Sequence, residues 1–163
     1  MKNFIEEIRW RGMVHDEMPG IIDHLVDSCR VSYTGFDPTS DSLHIGSLVP
    51  IMLLAHFQRS GHKPIVLIGG ATGMIGDPSG KSSERNLLDE KTLSKNQTAI
   101  KEQLSQFLNF DSKQENSALI LNNFEWISKF TLLEFIRDIG KHISVNYMMS
   151  KDSVKNRISS ESS

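Results

Sequence analysis

The run Tyr33-Thr34-Gly35-Phe36-Asp37-Pro38-Thr39-Ser40-Asp41-Ser42-Leu43-His44-Ile45-Gly46-Ser47 sets a histidine, a glycine and several hydroxyls where a strand-like segment gives way, through a proline-containing loop, to a helical one. Residues of these types in this order can hold phosphates. The first backbone N–H groups of a helix have no partner inside it, and the helix dipole is positive there. A histidine and a small residue at such a start suit a nucleotide better than a lone anion.

A second candidate lies between Gly69 and about Asn86, a segment rich in Gly, Ser and Pro. Gly76-Asp77-Pro78-Ser79-Gly80-Lys81-Ser82 imitates the phosphate-binding string G-x-x-x-x-G-K-[ST] but is one residue too short. Pro78 has no N–H to offer an anion, and Asp77 would set a carboxylate beside it. Gly70, Gly73 and Gly76 do not form G-x-G-x-x-G either. Asp77, close to a strand end, can take a positive substrate group. Lys81 and Arg85, on a loop able to close, can reach phosphate oxygens, although charged loop residues are more often simply solvated.

The elements that must position these residues follow from periodicity. Phe4, Ile5, Ile8 and Trp10 suggest a short helix, and a second runs from Pro19 to about Cys29. Val31 to Phe36 reads as a strand. From Ile45, apolar residues recur nearly all round a helix that ends at Ser60-Gly61, so that helix is expected to be buried. Pro64-Ile65-Val66-Leu67-Ile68-Gly69 reads as a strand buried on both faces of a parallel sheet. Strand, helix and strand make a βαβ unit. Leu93, Ile100, Leu104, Phe107 and Leu108 mark a long amphipathic helix, and Ala118 to Leu121 a third strand. Thr131 and Glu134 form a capping box for a helix closed by Gly140, and short helices follow Ser144. The fold expected is α/β: a Rossmann-like, mostly parallel sheet with helices on both faces, incomplete at the C-terminus. Both candidate segments then begin at strand carboxyl ends, where such sheets bind ligands at a reversal of strand order.

Composition bounds the rest. The 163 residues suit a single domain: helices over 1–30, a ligand-binding part over 31–158 and a flexible tail over 159–163. Hydrophobic residues make up 38% and charged residues 23%, and a net charge of −2 gives no electrostatic case for nucleic-acid binding by this piece alone. With Cys29 as the one cysteine, no internal disulfide can form; with no membrane-length apolar run, a cytoplasmic location is expected. His15, His24, His56, His62 and His142 show no ligand spacing and are read as structural or exposed, so no bound metal is expected.

Three strings, GFDPTSDSLHIGS, FQRSGHKPIVLIGGATGMIGDPSGKSSER and GKHISVNYMMSKDSV, resemble the bacterial tyrosyl-tRNA synthetases, class I aminoacyl-tRNA synthetases, over the N-terminal part of their catalytic domain. His44-Ile45-Gly46-Ser47 stands where that class carries its His-Ile-Gly-His signature. The resemblance implies activation of L-tyrosine by ATP with Mg²⁺, then transfer of the tyrosyl group to tRNA(Tyr). The nucleophile, a carboxylate, is already ionised, so the site needs alignment and donors aimed at the phosphates rather than a catalytic base.

By the same resemblance His44, Ser47, Lys81 and Arg85 are the catalytic residues, and Tyr33, Gly35, Asp37 and Asp77 bind tyrosine. ATP falls to Thr34, Asp37, Thr39, His44, Gly46 and Ser47. Ser47 departs from the histidine or asparagine usual there, and Pro50 stands where some members have threonine. The segment Lys141 to Met149 is similar to a part near the family's dimer interface, so a homodimer is implied. A phenol-binding helix, a Lys-Met-Ser-Lys-Ser loop, and the anticodon-binding and C-terminal RNA-binding domains are absent from the 163 residues, so that a fragment is implied. Another adenylyl-transferring enzyme with a similar histidine signature, or a non-catalytic module, are the alternatives.

Overall fold

The computed structural model of the chain describes residues 3–75 and 89–159. Helix α1 (Phe4–Trp10) is capped by Asn3, whose Oδ1 accepts the Ile5 N–H at 3.0 Å. Ile5 and Ile8 are buried, but Trp10 is 78% exposed and lies off the apolar face. Helix α2 (Ile21–Val26) is shorter than the Pro19–Cys29 span expected from sequence. Gly20 takes a left-handed φ of 81°, which prevents a helix beginning at Pro19 from continuing.

Strand β1 (Val31–Phe36) leads through the loop to a 3₁₀ turn (Ile45–Ser47), helix α3 (Leu48–Arg59) and strand β2 (Lys63–Ile68). Pro50 falls in the first turn of α3, where an N–H would have no helical partner, so the proline breaks nothing. Burial in α3 is concentrated on Ile51, Leu54, Ala55, His56 and Phe57. Leu48 and Val49, expected to be covered, are exposed, because the start of this helix lies at the open end of the sheet. Helix α4 (Gly70–Ile75) occupies the first part of what reads as a long loop. Helix α5 (Glu90–Leu104), capped by Asp89, is followed by strand β3 (Leu119–Asn122). Helices α6 (Phe124–Ile127), α7 (Leu132–Asp138), α8 (Val145–Ser150) and α9 (Asp152–Ser159) complete the described chain, and α7 carries the expected Thr131–Glu134 capping box.

The sheet has order β1-β2-β3 and is parallel throughout, with Phe36 beside Ile68 and Leu67 beside Leu121. Strand order runs in one direction across these three strands. Right-handed crossovers that move in one direction along a sheet place their helices on the same side. Accordingly α3 and α5 both pack on the face of Phe36, Val66 and Ile68, through Ile51, Leu54, Ile100 and Leu104. In β2 this leaves Pro64, Val66 and Ile68 buried and Lys63, Ile65 and Leu67 only half-buried, so the strand is not closed on both sides as its apolar run suggested.

α1 docks on the opposite side of α3. Phe4 meets Phe57 edge-on at 5.1 Å between ring centroids, and His56 Nδ1 lies 3.8 Å from Glu7 Oε1. His56 and His62 are both buried there, as structural histidines.

Candidate active site

The carboxyl ends of the three strands are tied together by backbone bonds. The Gly69 N–H donates to the Phe36 carbonyl at 2.9 Å, and the Asn123 N–H to the Ile68 carbonyl at 3.0 Å. The two segments singled out from sequence therefore begin side by side. Their glycines serve close approach. A Cβ on Gly69 would sit 2.6 Å from Thr72 Oγ1 and 2.9 Å from Asp37 Oδ1, and one on Gly70 only 2.2 Å from Asn122 Oδ1. The pair lets a carboxylate from the β1 loop and an amide from β3 reach the start of α4. That helix start is capped from a distance, the Ala71 N–H donating to Asn123 Oδ1 at 2.8 Å. A cap more than fifty residues away in the chain leaves no local helix signal.

At the other helix start His44 is the cap. Its carbonyl accepts the Ser47 N–H at 2.9 Å, and its Nδ1 accepts the Gly46 N–H at 3.0 Å. In a neutral imidazole, Nδ1 acting as acceptor leaves the proton on Nε2. His44 is exposed, so this arrangement prepares a donor facing solvent. A Cβ on Gly46 would lie 2.9 Å from His44 Cε1, so the glycine makes room for the ring.

The strand residues divide between faces. Tyr33 and Gly35 lie beside Ile65 and Leu67, on the face opposite α3. Tyr33 is 66% exposed, not the core tyrosine that a strand position usually implies. Thr34 lies beside Val66 on the α3 face, and its Oγ1 is buried without a hydrogen-bond partner among the described residues. Asp37 and Thr39 are exposed on the loop, Pro38 is buried between them, and Ser47 is half-buried. Asp77, Lys81 and Arg85 lie outside the described residues.

Four side-chain amides missed in the sequence line this end of the sheet: Asn96, Gln103, Asn122 and Asn123. Asn96 Nδ2 donates to the Pro38 carbonyl at 2.9 Å, and Gln103 Oε1 accepts the Leu43 N–H at 3.0 Å. Asn122 Nδ2 donates to Gln97 Oε1 at 3.3 Å. For Asn96 and Gln103 the available signal was their place on or beside the Leu93–Ile100–Leu104 stripe, since a polar group on a buried face must find a partner.

A family model described as tRNA synthetases class I (W and Y) matches residues 29–163. The Tyrosine–tRNA ligase of Porphyromonas gingivalis is 64% identical over 161 residues, covering 99% of this chain and 37% of that protein. The Tyrosine–tRNA ligase of Flavobacterium johnsoniae is 58% identical over the same share of each. The chain thus spans 37% of the length of these curated relatives. Among solved structures, a C-terminally truncated mitochondrial tyrosyl-tRNA synthetase of Aspergillus nidulans superposes with a TM-score of 0.77 at 29% identity, covering 97% of this chain and 48% of that one. With a parallel α/β sheet, a histidine-capped helix start at its open end and a family match running from residue 29 to residue 163, the chain belongs to the class I tRNA synthetases of the tryptophan and tyrosine type.

Proposed function

We propose that this chain is the nucleotide- and tyrosine-binding part of a tyrosine–tRNA ligase. The observation that carries the reading is its 64% identity, across 99% of its length, to a protein named Tyrosine–tRNA ligase. In the reaction the tyrosine carboxylate attacks the α-phosphorus of ATP, the bond to pyrophosphate breaks, and tyrosyl-adenylate forms. The tyrosyl group then passes to tRNA(Tyr). ATP enters as its Mg²⁺ complex, as a substrate.

On this reading the Nε2–H of His44 donates to phosphate oxygens, its tautomer held by the Gly46 N–H. Ser47 adds a hydroxyl beside it, and Gly46 and Thr39 line the nucleotide. Thr34, near the end of β1, lies near the ribose. Tyr33, with its ring exposed on the open face, reads the substrate phenol; Gly35 leaves that face bare beside it. Asp37 is the ammonium partner on the described side of the crevice. Asp77 joins Asp37 at the ammonium, and Lys81 and Arg85 hold the leaving pyrophosphate. The protein acts in the cytoplasm as a homodimer, with tRNA(Tyr) bound mainly by regions beyond this chain.

The test is tyrosine-dependent exchange of pyrophosphate into ATP by the gene product carrying this chain, with and without His44→Ala. Loss of a donor aimed at developing charge should lower the rate on the order of 10²-fold. Exchange that ignores tyrosine, or that tryptophan supports equally, overturns the reading.

A further inference from the structure

We propose that Gln103 of α5 is a positioning residue for the nucleotide site, holding the turn that presents His44; this rests on the nucleotide reading above. Its side chain makes two bonds to one turn. Oε1 accepts the Leu43 N–H at 3.0 Å, and Nε2 donates to the Asp41 carbonyl at 3.4 Å. Leu43 itself packs against the core cluster, and His44 is the next residue. His44 holds an extended backbone, with φ −89° and ψ 169°, from which both its carbonyl and its imidazole cap the helix start. Fixing the Leu43 amide therefore fixes the residue from which the imidazole hangs.

The same helix pins the other end of the loop. Asn96 is buried and donates to the carbonyl of Pro38, which is also buried. Asn96 and Gln103 stand seven residues apart, about two helical turns and roughly 10 Å, on one face. Ile100 lies between them and Leu104 follows Gln103, both wholly buried in the core. The loop from Pro38 to Leu43, which carries Thr39, is thus stretched between two amides on a rigid helix. Both ends of the loop are therefore bonded to the core-facing side of one helix.

The deciding experiment is titration of ATP into the gene product carrying this chain and two variants of it. Gln103→Met keeps the length of the side chain and removes both bonds. Ile100→Val trims the core beneath the same helix while keeping both loop hydrogen bonds, and reports what lost stability alone does. Gln103→Met should weaken ATP binding about fivefold to tenfold, the worth of one to two net hydrogen bonds. Tyrosine affinity should stay within about twofold, and Ile100→Val should bind ATP like the parent. ATP affinity unchanged in Gln103→Met, or weakened equally in Ile100→Val, overturns the positioning role alone. A parent protein that binds no ATP overturns the nucleotide reading together with it. Should Gln103→Met fail to fold, Gln103→Glu decides, since it keeps the acceptor for Leu43 but loses the donor to Asp41. A loss of ATP affinity, with the melting temperature held, supports the role, and parental affinity overturns it.

Discussion

At the scale of single residues, the pairing of His44 with Gly46 is the most informative contact. The Gly46 N–H is one of the orphan donors of a helix start, and here it is spent on the imidazole. The ring thereby becomes the group that meets the ligand. This makes Gly46→Ala a sharp probe, because the new Cβ would lie 2.9 Å from Cε1 and 3.0 Å from Nδ1 of His44. The ring must swing away, and its tautomer is no longer set by the backbone. ATP affinity measured by calorimetry should fall about tenfold, or 1.4 kcal/mol, while the fold persists. Parental affinity in the variant would show that the ring is free to choose another position without loss. Tyr33 and Thr34 make the complementary point: neighbours in sequence, they face opposite sides of the sheet, so they can meet different parts of a ligand only around the strand end.

At the scale of elements, the junction of α1, α3 and β2 carries its own pH dependence. His62 is buried, its ring stacks on Phe57 at 4.6 Å, and its Nδ1 accepts the Arg30 N–H at 3.3 Å. Burial first, and then the nearby charge of Arg30, hold its pKa below the ordinary histidine value. The folded chain therefore keeps His62 neutral where the unfolded chain has already taken up a proton. Stability is full above about pH 6.5 and is lost as pH falls from there towards the lower folded pKa. Urea unfolding at about pH 7.5 and about pH 5.5 should show this loss in the parent chain, and a smaller loss in His62→Gln, which cannot titrate. An identical pH slope in the two would mean that another group carries the effect.

At the scale of the whole molecule, α7 and α8 present an uncovered apolar surface. Leu133 is 79% and Val145 73% exposed, with Ile136, Tyr147 and Met148 also open to solvent. A face of this kind marks an interaction surface, and on the homodimer reading it joins two copies. Sedimentation of the chain should show a dimer that Ile136→Asp converts to monomer, with its melting temperature little changed; a parent chain that stays monomeric on concentration would refute this use of the face.

Sequence alone laid out the three strands and the longer helices in order, but neither α4 nor α6. Strand lengths, the βαβ unit, the capping box at Thr131 and the histidine-capped helix start all depend on neighbours within a few residues, which is the range over which propensity and capping act. What lies far apart in the chain was decided only by the tertiary structure. Asn123 caps α4 from the end of the neighbouring strand, Gln103 and Asn96 hold a loop some sixty residues away, and Gly69 and Gly70 make room for Asp37 and Asn122. The strand order, and with it the shared face of α3 and α5, also came only from the assembled sheet. A polar side chain declares in sequence that it needs a partner; which partner it finds is set by the packing of the core.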